Sequence, residues 1–154
     1  MKKIEAIRGT AAVAAGMFKT PEEATAKAYV PFFAIVSKPA DYTTFDTGKL
    51  IKASDCDMVI RLLFMLRMHK TYPGTGTACT GAAARIPGSI VYDTLSEEAK
   101  KREQLKIGHP AGTITVASAA EVGPNGSFKL TKAAYDRTAR RIMEGYCYVR
   151  KDRL

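Results

Sequence analysis

The residue types best suited to chemistry lie in one short segment, Pro73-Gly74-Thr75-Gly76-Thr77-Ala78-Cys79. Glycines let a backbone turn tightly and let a ligand come close. The segment leads into a run of small residues that reads as a helix, Ala78–Arg85. A helix start offers backbone N–H groups without partners and a partial positive charge, which suit a carboxylate or phosphate. The hydroxyls of Thr75 and Thr77 add donors. A nucleotide P-loop is disfavoured, because no Gly-Lys-Ser/Thr ending follows. The competing reading is structural: a tight turn whose small residues let a helix pack closely. Residue types alone do not separate the two.

A second segment, Gly108-His109-Pro110-Ala111-Gly112, sets a histidine between glycine and proline. His109 is suited to orient an anion or move a proton near neutral pH, or simply to close the end of a strand. His69 stands at the end of an apolar stretch, where a packing or capping role competes with a site role. Lys70 and Tyr72 flank the glycine turn, so Lys70 is a further candidate for a bound carboxylate. Cys79 reads as a buried, inert thiol inside the small-residue helix. Cys56, Cys79 and Cys147 share no short spacing, and with only two histidines no metal site is expected.

These residues need a scaffold of adequate size. The chain has 154 residues, of which 46% are hydrophobic, with no tryptophan and a formal net charge of +9. That length fits one domain, or one half of a two-domain protein, with a core large enough to need no staples. The apolar runs are too short to cross a bilayer, so no membrane association is expected. The opening Met1–Ala6 lacks the continuous apolar core of a signal peptide. Unpaired cysteines then point to a reducing, cytoplasmic setting. The positive charge attracts anions without choosing among them. A basic tail (Arg137, Arg140, Arg141, Arg150, Lys151, Arg153) with Tyr146 and Tyr148 raises nucleic-acid binding as a reading. Strand alternation accounts for both tyrosines, so no nucleic-acid partner is expected.

The elements follow from periodicity. Ile4, Ile7, Ala11, Ala14 and Phe18 mark an amphipathic first helix. Thr20-Pro21-Glu22-Glu23 starts a second, with Thr20 as N-cap and Glu23 completing a capping box. Tyr29–Ser37 reads as a strand covered on both faces, and Lys38–Gly48 as a loop. Ser54–Asp57 is expected to open a helix burying Met58, Val59, Leu62, Leu63 and Leu66. Ser96–Lys106 reads as an exposed helix with i,i+4 charge pairs. Ile107, Ile114, Val116 and Val122 lie in β-prone runs, Gly123-Pro124-Asn125-Gly126 is a turn, and Phe128–Leu130 begins a half-buried strand. Ile142–Val149 is expected as a final strand, with Gly145 at a bulge. The sum is an α+β domain with helices early and an antiparallel meander at the carboxyl end.

Several blocks occur together in order: Glu5-Ala6-Ile7-Arg8, Pro39-Ala40-Asp41-Tyr42-Thr43-Thr44, Asp55-Cys56-Asp57, His69 with Gly74-Thr75, Ile86-Pro87-Gly88, Gly108-His109-Pro110-Ala111-Gly112, and Ala139-Arg140 to Met143-Glu144-Gly145. Across nearly the whole chain they resemble the carboxyl-terminal half of the PrpF family, which includes methylaconitate and methylitaconate isomerases. The resemblance implies a diaminopimelate-epimerase-like fold: two similar halves, each wrapping strands around a central helix, with substrate in the cleft between them. It further implies cofactor-independent movement of a double bond in small unsaturated di- or tricarboxylates. A base removes a proton activated by a carboxylate, fixed donors hold the resulting charge, and the proton returns elsewhere. On this resemblance Gly74, Thr75, Gly76 and Thr77 are carboxylate binders, with Lys70, His69 and His109 as secondary candidates. Two departures follow. Pro73 stands where epimerases of this fold carry a catalytic cysteine. The family's chain is more than twice as long, and its proposed catalytic lysine lies in the amino-terminal half, so no lysine here inherits that role. The expected partners are a small carboxylate and either a complementary amino-terminal half or a second copy. The alternative is a non-catalytic fragment or dimerising interaction module.

Overall fold

The computed structural model describes residues 1–153. Its helices are α1 (Lys2–Ala14), α2 (Pro21–Ala26), α3 (Gly74–Ala83), α4 (Ile90–Thr94) and α5 (Glu97–Lys101). Its strands are β1 (Phe33–Ser37), β2 (Tyr42–Thr43), β3 (Leu50–Ile51), β4 (Met58–Phe64), β5 (Arg67–Met68), β6 (Gln104–His109), β7 (Gly112–Val122) and β8 (Phe128–Tyr135). The main sheet runs β1-β4-β6-β7-β8, with β5 also paired to β4. Only β4 and β6 are parallel; β6, β7 and β8 form the expected antiparallel meander, but β8, expected to be half-buried from Phe128 to Leu130, is exposed along nearly its whole length because it is the sheet's other edge.

The sheet is a curled half-barrel about α3. A side chain at Gly76 would come 3.0 Å from Leu62 Cδ1 of β4. At Gly81 it would reach within 2.6 Å of Val116 Cγ2 of β7, and at Gly74 within 2.5 Å of the Tyr135 ring at the end of β8. Three strands thus approach one helix so closely that glycine is needed on its facing positions. Met58, Ile60, Leu62, Leu105, Ile107 and Val116 fill the space between, each 1% exposed or less.

The capping signals at α2 hold. Thr20 accepts from the Glu23 N–H, while the Glu23 carboxylate accepts from the N–H of Lys19, so its return bond is one residue earlier than a standard box. The first helix forms, but it turns Arg8, Gly9 and Ala12 inward and leaves Ile7 49% exposed. Arg8 explains the rotation. Its guanidinium donates to the carbonyls of Ala24 (2.6 Å) and Val30 (2.8 Å) and pairs with Glu5 at 2.5 Å, tying α1 to the segment that leads into the sheet.

Five other expectations need correction. Met58–Phe64 is a strand, not a helix, preceded by a single 3-10 turn at Ala53–Asp55. Its near-continuous apolar run suits a strand lying inside a sheet, between β1 on one side and β6 and β5 on the other. The region Tyr29–Ser37 gives only the short β1, whose Ile35 is 47% exposed because the strand is a sheet edge. Within Ser96–Lys106 the helix stops at Lys101, and Gln104 onwards alternates outward and inward as β6. Ile142–Val149 forms no strand and lies exposed. Within Lys38–Gly48, the loop carries the two-residue strand β2, which pairs with β3.

Candidate functional site

Pro73 caps α3 through its backbone only, and no side chain takes up the N–H groups of the first turn. The first bond of the helix runs from the Thr77 N–H to the Pro73 carbonyl, 2.8 Å. The amides of Gly74, Thr75 and Gly76 therefore precede the intrahelical ladder. Beside this turn lies an open hollow of about 360 Å³, lined by Tyr72, Gly74, Thr75, Ile114, Tyr135, Asp136 and Arg137.

Each wall has a structural cause. Thr75 is exposed at the mouth. The Tyr72 side chain is buried and shares a 2.6 Å hydrogen bond with the Thr80 hydroxyl nearly two turns into the helix, fixing the approach to Gly74. Burial pushes its phenol up from the ordinary value, against the pull of the Thr80 bond, so it stays a neutral donor or acceptor at physiological pH. Ile114 comes from β7, where it pairs with Ile107. Beyond Tyr135 the chain is held by an Asp136 N–H bond to the Thr115 carbonyl, 3.3 Å, which carries Arg137 to the hollow.

The expected carboxylate binders therefore divide. Gly74 and Thr75 line the hollow. Gly76 faces Leu62, and Thr77 is fully buried with its hydroxyl donating to the Pro73 carbonyl at 3.0 Å. Those two build the turn from beneath.

His69, Lys70 and His109 gather in a neighbouring cluster instead. Lys70 Nζ lies 5.8 Å from the centre of the Phe45 ring, and the Phe45 N–H donates to the Pro110 carbonyl at 3.0 Å. His69 is tied locally, its N–H donating to the Leu62 carbonyl (2.7 Å) and its Nδ1 accepting from the Thr71 N–H (3.1 Å). His109 ends β6, is 8% exposed, and accepts the Ala111 N–H on Nδ1 at 3.2 Å. Burial holds its imidazole below the ordinary histidine range. The Thr113 backbone and Asp46 pull the other way, while Arg61 and His69 reinforce the shift. The Tyr42 hydroxyl donates to the Gly112 carbonyl at 2.6 Å, closing the loop over this hairpin.

Cys79 is exposed, contrary to expectation, because it sits on the side of α3 that faces an open groove beside β1 and α4. Among the described residues no group of three His, Cys, Asp or Glu side chains is placed to hold a metal ion, and no helix is long and apolar enough to cross a membrane.

Sequence reasoning did not reach Tyr135, Asp136, Arg137 or Ile114 as site residues. Arg137 was visible only as one cation of a basic tail. Only the curl of the sheet brings the end of β8 to the glycine turn.

The comparisons agree with this architecture. The 3-methylitaconate isomerase of Eubacterium barkeri is 50% identical over 152 residues, covering 98% of this chain and 38% of that protein. The 2-methyl-aconitate isomerase of Shewanella oneidensis is 36% identical over 151 residues, covering 98% and 37% respectively. A crystal structure of methylitaconate-delta-isomerase superposes with a TM-score of 0.80 at 48% identity, over 97% of this chain and 37% of that one. The chain thus spans little more than a third of the length of these relatives. The family model described as PrpF protein matches residues 1–150, and the chain belongs to that family.

Proposed function

We propose that this chain supplies one wall of an active-site cleft for moving a double bond in a small unsaturated di- or tricarboxylate of the aconitate, methylaconitate or methylitaconate type. In this reading it corresponds to the carboxyl-terminal half of a two-domain isomerase of diaminopimelate-epimerase-like fold and works in the cytoplasm without a cofactor. The observation that carries it is the hollow at the start of α3, lined by Gly74 and Thr75 of the uncapped first turn and by Arg137, with Asp136 beside it. A substrate carboxylate held there would be aligned by fixed dipoles and a cation, which also stabilise the charge that develops once an adjacent carbon loses its proton. The proton-abstracting base lies on the opposite wall. Lys70, His69 and His109 stand in the neighbouring cluster outside the hollow, as secondary candidates for orienting substrate.

The test supplies this chain with the remaining portion of a full-length relative. Trans-aconitate at one hundred times Kd should then stabilise the complex by about 2.7 kcal/mol, read as a rise in melting temperature. Arg137→Met should weaken that binding by about 1.5–3 kcal/mol, the value of a charged hydrogen bond. No shift at millimolar ligand in a well-formed complex would refute the reading. A second reading, an interaction module without turnover, is favoured by the apolar stretch 142–149 within the basic tail, whose Tyr146 and Tyr148 are 93% and 96% exposed.

A further inference from the structure

The hollow at the start of α3 has a polar side and an apolar one. Gly74, Thr75 and Arg137 make the polar side, with Asp136 beside them. Among the described residues, Ile114 of β7 is the one aliphatic side chain in the lining. Its place is fixed from two directions. Ile114 pairs with Ile107 of β6, which is 0% exposed, and paired residues of a ladder project to the same face. On that face it also lies two residues before Val116, whose Cγ2 comes close against Gly81 of α3. Ile114 therefore looks toward α3. It packs against the main core and stays partly exposed where it lines the hollow.

The other walls are otherwise engaged. The Tyr72 hydroxyl is committed to Thr80, and the tip of the Tyr135 ring lies over Gly74. The Asp136 carboxylate opposes a second anionic group in the same space. What suits the room beside Ile114 is a small uncharged substituent on the carbon that carries the bound carboxylate. In methylitaconate and in 2-methylaconitate a methyl group occupies that position, on a carboxylate-bearing carbon. In aconitate the same position holds hydrogen.

We infer that Ile114 is a specificity-determining residue: it seats the methyl group next to the bound carboxylate, so that the hollow selects methyl-bearing substrates over unmethylated ones. The inference rests on the isomerase reading and deepens it, since it chooses among the substrate types named there. The carboxylate contacts are common to both kinds of compound, so they set affinity but not choice. A methyl group seated in an apolar pocket discriminates by roughly 10- to 200-fold. Hydrogen in its place leaves the Ile114 side chain without contacts on that side.

The test measures dissociation constants by calorimetry, with the chain joined by the remaining portion of a full-length relative. The probes are aconitate and 2-methylaconitate of the same double-bond geometry. The wild-type complex should bind the methylated compound at least about tenfold more tightly. Ile114→Ala should lower that ratio by about tenfold, through the methylated compound, and leave the affinity for aconitate nearly unchanged. Ile114→Val, which keeps the branched shape and the fold, should give a smaller fall in the same direction. Arg137→Met, by contrast, should weaken both compounds alike. A merely structural role for Ile114 would also weaken both alike and leave the ratio in place. Binding of neither compound by the wild-type complex would sink the isomerase reading and this inference with it. Equal affinity for the two compounds, or a ratio unmoved in both Ile114 variants, would overturn this inference alone.

Discussion

Residues 58–64 and residues 142–149 are made of similar material and meet opposite fates. Both are rich in large apolar side chains, yet Ile60 in β4 is 0% exposed and Ile142 in the tail is 85% exposed. The difference lies outside the segments. β4 has hydrogen-bonded neighbours on both sides and α3 across its face, whereas the tail has none of these in the single chain. A β-prone apolar run becomes core only where other elements complete it, because propensity in strands mostly measures fit to a half-buried surface.

The largest effect should come from breaking the covered member of that pair. Ile60→Ala should cost about 2–5 kcal/mol in denaturant unfolding, whereas Ile142→Ala in the dilute single chain should stay within about 0.5 kcal/mol. Equal costs would mean that the tail is buried in the single chain after all.

The glycines of α3 sharpen the contrast within one helix. Gly81→Ala sets a methyl 2.6 Å from Val116 Cγ2, a fully buried side chain. It should destabilise by about 1–3 kcal/mol. Gly74→Ala meets only the tip of the Tyr135 ring, at 2.5 Å, which can swing outward. Its stability should change by less than the Gly81 variant, while the hollow changes shape. A Gly74→Ala chain as unstable as Gly81→Ala would show that Tyr135 is fixed rather than yielding.

The smallest effect concerns pH. His109 is held below the ordinary histidine range by burial, so in the relevant window the unfolded chain binds the extra proton. Stability should therefore be full above about pH 6.5 and fall as the pH drops below it, by at most about 1.4 kcal/mol per pH unit. His109→Gln should flatten that slope in denaturant midpoints measured between neutral and mildly acidic pH. An unchanged slope would remove His109 as the cause.

Local chemistry made much of this molecule legible. The cap at Thr20 and the turn at Gly123–Gly126 each report themselves over a few residues, and the run from Phe128 does form a strand, though an exposed one. The strand β4 did not, because its apolar residues also fit a helical stripe and its hairpin turn hides. That turn is Met65-Leu66, both at positive φ, without the glycine or asparagine that usually announces one. Of the candidate site, the glycine turn was readable because it depends on adjacent residues. Tyr135 and Arg137 were not, since they reach it only through the order in which the strands curl.

Arg8 carries a consequence for how acid would take this molecule apart. A guanidinium keeps its proton at any pH a cell meets, and its bond to Glu5 holds that carboxyl below the usual range. The fastening between α1, α2 and the entry to β1 therefore outlasts the protonation of His109 as acidity rises. The bonds from the Arg8 guanidinium to the Ala24 and Val30 carbonyls involve no group that titrates in this range, so acid strong enough to charge His109 leaves them in place.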